Sequence, residues 1–237
     1  MEDLSPGRRG IKSYVLRSGR MTAAQKRAYE ELSGGYCIPP SPDVLDYAAL
    51  FGNSHPATIE IGFGMGIATA RIAQENPDRN YLGIEVHKPG VGRLLWEIER
   101  RGLSNLRIIE HDAVETLERR VPGASVAAFH VFFPDPWPKK KHHKRRLITR
   151  PFTDLLADRL VPGGYLYMVT DWEDYAHWAL AELSATPALD NPYGDRGGFA
   201  PPQSWRPPTE FEAKGRAKNH DVWELYMRKP GPGGGDL

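Results

Sequence analysis

The sequence predicts an α/β fold, with a mostly parallel sheet, an antiparallel edge strand and an N-terminal helical extension. Three observations predict it. Five short apolar runs alternate with helix-patterned segments between residues 57 and 185, the signature of βαβ units. These runs are almost continuously apolar, as strands covered on both faces are. The last run, 221–229, alternates instead, setting Val222, Glu224 and Tyr226 against Trp223, Leu225 and Met227. It follows a hairpin-like loop rather than a helix, which suggests the antiparallel edge.

Taken in order, residues 1–10 and 230–237 read as disordered tails, rich in Gly and Pro with nothing to bury. Residues 11–229 form one domain. Thr22 opens a helix over 22–32, which the stretch GGYCIPPSP breaks. A short helix over 43–51 takes Ser41 or Asp43 as its cap. Strands follow at 57–61, 80–86, 105–110, 125–133 and 164–169. Behind them come helices beginning IATARIAQ, GVGRLLWEIERRG, AVETLERRV, LITRPFTDLLADRLV and WEDYAHWALAELSA. A Pro/Gly-rich excursion at 187–208 precedes the last strand.

Composition narrows the function classes. A chain of 237 residues fits one large domain and buries a core without staples. Its single cysteine, Cys37, excludes an intrachain disulfide and a cysteine metal cluster. No apolar run approaches a membrane span, and no secretory signal stands at the N-terminus. The expectation is a cytoplasmic protein with no metal and no membrane partner, either monomer or homodimer. The formal charge is only +1, but it is unevenly placed. Arg8, Arg9, Lys12, Arg17, Arg20, Lys26 and Arg27 form one basic island, 139–146 a second, and Lys214, Arg216 and Lys218 a third. Brought together, they make a surface for a polyanion.

The loop after the first strand reads Glu60-Ile61-Gly62-Phe63-Gly64-Met65-Gly66. Such glycines let the backbone turn sharply and leave room for a ligand at a helix N-terminus. The spacing is G-x-G-x-G, not the dinucleotide G-x-G-x-x-G. Glu60, Glu85, Asp112 and Asp135 each stand at or just beyond the end of one of four successive strands. Ligands bind at that edge of an open parallel sheet. Each acid alone reads equally well as a loop residue or a helix cap, Asp112 above all, but four in register do not. An acid at the second strand accepts ribose hydroxyls, and one after the third accepts an adenine amine. An acid beside the glycine loop repels phosphate and suits a cationic tail. S-adenosyl-L-methionine has that shape and charge. No G-x-x-x-x-G-K-[ST], H-E-x-x-H or G-x-S-x-G occurs.

The stretch FPDPWPKKKHHKRR, 133–146, puts a carboxylate between two prolines and then six Lys/Arg and two His in eight residues. Trp137 reads equally as a stacking surface for a base or as the lid of the core. Together with IEIGFGMG, GIEVH, EHDA, VTDWEDYA, TEFEAKGRAKNHDVWEL and the earlier RSGRMTAAQKRA, this stretch closely resembles the bacterial tRNA (guanine-N7-)-methyltransferases. The resemblance covers roughly residues 10–229. It implies a Rossmann-like class I S-adenosylmethionine-dependent methyltransferase whose partner is tRNA. The implied target is the guanosine at position 46 of the variable loop. It assigns Glu60, Glu85, Asp112 and Asp135 to the cofactor or the catalytic centre, beside Gly62 and Gly64 of the loop. It assigns Lys139, Asp171, Thr209, Glu210, Phe211 and Glu212 to the substrate. Lys141, His142, His143, Lys144, Arg145 and Arg146 become RNA contacts. One departure is visible: Asn219-His220-Asp221 stands where the family often has Gly-His-Gly.

Guanine N7 carries a lone pair and no proton, so Asp135 reads as an orienting and electrostatic group rather than a general base. Pro134 and Pro136 fix two φ angles and narrow the freedom of that acid. The alternatives are a methyltransferase for another RNA or a small molecule, a non-catalytic RNA-binding module, and a nicotinamide dehydrogenase. Intact Glu60, Gly62, Gly64, Glu85 and Asp112 argue against the second. The third leaves the basic run unexplained.

Overall fold

The computed structural model describes residues 12–15, 19–208, 212 and 221–231. The expected tails, 1–10 and all but two residues of 230–237, lie outside them, as do Thr209, Glu210, Phe211 and the third basic island.

Two helices lead in, α1 (Ala23–Tyr36) and α2 (Tyr47–Phe51). Then β1 (Ala57–Ile61), β2 (Asn80–Glu85), β3 (Leu106–Glu110), β4 (Val126–Phe132) and β5 (Leu160–Thr170) alternate with helices. These are α3 (Ile67–Glu75), α4 (Lys88–Arg101), α5 (Ala113–Arg119), α6 (Phe152–Arg159) and α7 (Glu173–Ser184). The last strand is β6 (Trp223–Arg228). The strand order is β3-β2-β1-β4-β5-β6. All pairings are parallel except β5 with β6. The order reverses between β1 and β4, the switch point where such sheets bind ligands.

Each sheet face is buried under helices, which explains the uninterrupted apolar runs. Ile59, Leu82, Phe129 and Leu166 pack with Leu117, Leu156 and Tyr175 of α5, α6 and α7. On the other face Tyr81, Ile108 and Tyr167 pack with Ala28, Ile72, Leu94 and Ile98 of α1, α3 and α4. The excursion 187–208 runs along β6, bridging Asp190 to Arg228 and Ala200 to Glu224.

Three boundaries correct the sequence reading. Helix α1 opens on Thr22 through a capping box, but it continues through Gly34 and Gly35 to Tyr36. Two glycines weaken a helix by about 1 kcal/mol each, and packing of α1 against α4 and β3 outweighs that. The cap of α2 is Asp46, whose side chain accepts from Ala49 N at 3.0 Å. Ser41 and Asp43 make a local turn instead, Asp43 N donating to Ser41 Oγ at 3.0 Å. Helix α6 begins only at Phe152, because Pro151 lacks an N–H and biases Arg150 away from helix. The basic stretch before it forms a 3₁₀ helix, Lys140–Arg145.

Candidate functional site

Strand β1 ends at the switch point and hands the chain to a loop in which Gly62, Gly64 and Gly66 all have positive φ, from 58° to 73°. A Cβ on Gly62 or Gly64 would meet nothing within 4 Å, so both present bare backbone to open space. A Cβ on Gly90, in the first turn of α4, would lie 2.0 Å from the Gly64 carbonyl oxygen. That glycine lets the helix seat against the loop. The resulting cleft, about 410 Å³, is lined by the loop, Glu60, Phe132, Phe133, Pro207 and Pro208.

Glu60 is 4% exposed. Burial pushes its carboxyl up to about 8, the Thr69 hydroxyl pulling it down and the Glu85 charge adding to the rise. A carboxyl so buried ionises fully only when a cation joins it. Glu85 staples the loop: Oε2 accepts from Gly64 N at 2.8 Å, and Oε1 from Val86 N and His87 N at 2.7 and 3.0 Å. Of about four acceptor directions on a carboxylate, this leaves one, on Oε2. The pair of ribose hydroxyls expected here would share Oε2 or displace one of these backbone donors.

Asp112 caps α5 and is also covered. Its Oδ1 accepts from Glu115 N at 3.1 Å, and its Oδ2 from Lys12 Nζ at 3.0 Å. Lys12 also bonds Glu115 at 2.8 Å. Nothing in sequence pointed to this lysine, 100 residues away from Asp112.

Asp135 is exposed in a loop of constrained backbone. Phe133 and Trp137, flanking Pro134-Asp135-Pro136, have φ of 51° and 47°. Such conformations cost about 1–3 kcal/mol and persist where surrounding structure imposes them. Here the ties are Phe133 N to Val169 O at 2.8 Å and Trp137 Nε1 to Ser13 O at 2.9 Å. Trp137 thus proves to be a clasp for the N-terminal segment. Arg145 lies over its ring at 3.9 Å and donates to Lys12 O and Tyr14 O. Here the second basic island meets Lys12 of the first, through the Lys12 carbonyl.

The basic run divides into two populations. Lys139, Lys140, Lys141 and Lys144 are exposed, and His142 is half-buried. Arg146, expected as an RNA contact, is 2% exposed. Its guanidinium donates to Pro136 O at 3.0 Å and to Asp174, and it lies over the Tyr175 and Trp178 rings. It holds the loop to α7 and has no surface for RNA. His143 is half-buried edge-on to Trp178.

Asp171 follows β5 at the same sheet edge and is half-buried. Glu212, expected to touch substrate, is 1% exposed and bonded to Arg206 at 2.6 Å. Arg206 donates to Glu224 of β6 as well, at 2.7 Å. Glu212 thus belongs to a buried cluster with Arg206 and Glu224; its neighbours Thr209, Glu210 and Phe211 lie outside the described residues. Among the described residues no helix is long and apolar enough to cross a membrane, and no group of acids, histidines and cysteines is placed to hold a metal.

The donor set fits S-adenosyl-L-methionine: bare glycine backbone for close approach, and a buried acid with no cation beside it among the described residues. A family model described as putative methyltransferase matches residues 54–225. A tRNA (guanine-N(7)-)-methyltransferase of Nitrosospira multiformis is 51% identical over 221 residues, 93% of this chain and 95% of that one. Its namesake in Bordetella pertussis is 49% identical over 225 residues, covering 95% and 87%. Among solved structures, the 16S rRNA methyltransferase KamB superposes with a TM-score of 0.51 at 16% identity, covering 79% of this chain and 94% of that one. An antibiotic-related methyltransferase gives 0.51 at 18% identity, covering 85% and 99%. At those identities the likeness is one of fold.

Proposed function

The chain belongs to the family of tRNA (guanine-N(7)-)-methyltransferases, and we propose that it methylates N7 of the guanosine at position 46 in the tRNA variable loop. One observation carries this reading. The cleft at the switch point runs through Phe133 into a strained loop that presents Asp135 and then four exposed lysines. A small-molecule enzyme has no use for that charge, and an RNA-binding module has no use for the cleft.

When bound, S-adenosyl-L-methionine supplies a methyl group on a cationic sulfur. The residues that would hold it are Glu60, with its buried carboxyl, the open backbone of Gly62 and Gly64, the remaining acceptor of Glu85, Asp112, and Asp135 at the far side. Asp112 accepts a further donor where it shares or exchanges the Lys12 ammonium.

Guanine N7 needs no base to remove a proton. Asp135 accepts hydrogen bonds from N1–H and N2–H on the opposite edge of the base, which turns N7 toward the methyl group. It also offsets the positive charge that appears on the purine. Alignment of this kind is worth roughly 7–11 kcal/mol of a barrier, and a loop bracketed by two positive-φ residues and two prolines is suited to supply it. Extruding the base from folded tRNA costs a few kcal/mol. Phosphate contacts by Lys141 and Lys144, aided by His142, offset that. Lys139, Asp171, Thr209, Glu210 and Phe211 complete the substrate side. The reaction belongs in the cytoplasm, with tRNA.

Calorimetry with S-adenosyl-L-methionine and with NAD, followed by transfer of labelled methyl to unmodified bulk tRNA, tests this reading. Binding of the first cofactor and label recovered as 7-methylguanosine is expected. Binding of NAD alone, or no label in tRNA, overturns it.

A further inference from the structure

A second crevice opens on the same sheet face as the cofactor cleft. It occupies about 520 Å³ between the end of α3 and the 187–208 excursion, over β4, β5 and β6. The His130 and Phe132 rings stack at 5.4 Å, one lining this crevice and the other the cofactor cleft.

Three features make it a built site rather than a gap. Arg79 and Arg228 both line it, and neither guanidinium has a hydrogen bond or ion pair among the described residues. Tyr193, Trp205 and Tyr226 line it as well, each ring half-buried. At its base His130 is 2% exposed, and burial lowers its pKa to about 3, so the ring is neutral. His130 Nε2 meets the Tyr165 hydroxyl at 3.2 Å, and the ring stacks on Trp205 at 4.8 Å, but Nδ1 has no partner among the described residues. Native proteins seldom leave a buried polar nitrogen unpaired without a ligand, a water or a function to explain it.

The three features select one ligand chemistry. Unpaired guanidiniums that line one crevice from opposite sides bind phosphate, but a bare anion has no need of the rings. Half-buried Tyr and Trp faces stack flat bases, but a neutral aromatic has no need of the arginines. The geometry points to a nucleotide site, with the phosphate at Arg79 and Arg228 and the base among Tyr193, Trp205 and Tyr226. His130 Nδ1 meets a polar edge of that ligand or a water it orders. The nucleotide is either free or one residue of an RNA whose other end reaches the cofactor cleft.

The test titrates the full chain with AMP, adenosine and inorganic phosphate, after S-adenosylhomocysteine has been shown by calorimetry to fill the cofactor cleft. AMP should bind at least tenfold more tightly than adenosine or phosphate. The double variant Arg79→Gln/Arg228→Gln should lower AMP affinity at least tenfold and leave S-adenosylhomocysteine affinity unchanged. Because neither arginine holds the fold, the variant should melt with the wild type. A threefold or greater rise in KM for tRNA at unchanged kcat in that variant assigns the site to an RNA residue, with or without free AMP binding. AMP binding lost in the variant with wild-type tRNA kinetics assigns it to a free nucleotide. Wild-type tRNA kinetics in the variant, together with either equal AMP affinity in both proteins or no AMP binding, overturns the proposal.

Discussion

Trp137 donates from its indole nitrogen to the Ser13 carbonyl at 2.9 Å, joining the loop that carries Asp135 to the N-terminal segment. Arg145 reinforces the join through the carbonyls of Lys12 and Tyr14. The lysine so positioned reaches Asp112. One short segment therefore links the proposed substrate loop to an acid of the proposed cofactor site.

Trp137→Phe keeps a ring for Arg145 and removes the donor. A hydrogen bond of this kind contributes about 1 kcal/mol net, roughly a fivefold change in the open population of the segment. Tryptic cleavage after Lys12 should accelerate by about that factor, with Tm nearly unchanged. An unaltered cleavage rate would show that the clasp contributes nothing.

Cofactor affinity should depend on pH through Glu60. Its carboxyl, raised to about 8, must lose a proton to meet a cationic amine. Affinity should therefore rise with pH up to about 8, by as much as about tenfold per unit, with proton uptake by the buffer measurable in calorimetry. Stability carries the opposite sign. The folded state holds a proton that the unfolded chain releases near 4.5, so this contribution is complete below that pH and lost as pH climbs through 8. Glu60→Gln should flatten both profiles; an affinity independent of pH from 6 to 8 in the wild type contradicts the assignment.

The basic run should separate by burial. Replacing Lys139, Lys140, Lys141 and Lys144 with Gln should weaken tRNA binding and reduce its salt slope by roughly 0.7–0.9 for each phosphate no longer neutralised. The melting temperature should stay put. Arg146→Gln should do the reverse, lowering stability by about 1–3 kcal/mol as its charged hydrogen bonds disappear, or roughly 2–12 °C in Tm. An Arg146 variant with wild-type Tm would put that side chain back among the RNA contacts.

Arg206→Met should be the most destabilising of these changes. It removes the buried guanidinium that Glu212 and Glu224 share, a loss of about 3–5 kcal/mol. Thermal melting reads it directly. A drop of less than about 1 kcal/mol would mean that the two acids find other partners.

The legible parts of this molecule were those set by neighbours in sequence. Strand 57–61 matches β1 at both ends, because a parallel strand buried on both faces is simply a run of apolar residues. The glycine loop and the acids at the strand ends were equally plain. What sequence could not give depended on distant partners. Helix α1 crosses Gly34-Gly35 because α4 packs against it. Arg146 sits in an unbroken basic run, and only α7, which supplies Asp174, Tyr175 and Trp178, makes it structural. Glu212 is a substrate residue by resemblance, and its pairing with Arg206 at 0–4% exposure is a contact that spacing alone does not show.

The central claim is tested most directly by incubating unmodified tRNA with methyl-labelled S-adenosyl-L-methionine and mapping the modified nucleotide, for the wild type and for Asp135→Ala. The account predicts 7-methylguanosine at position 46 with the wild type. It predicts no transfer with the variant, whose tRNA affinity stays within about threefold. Label at another nucleotide, or a variant that methylates at the wild-type rate, would contradict it.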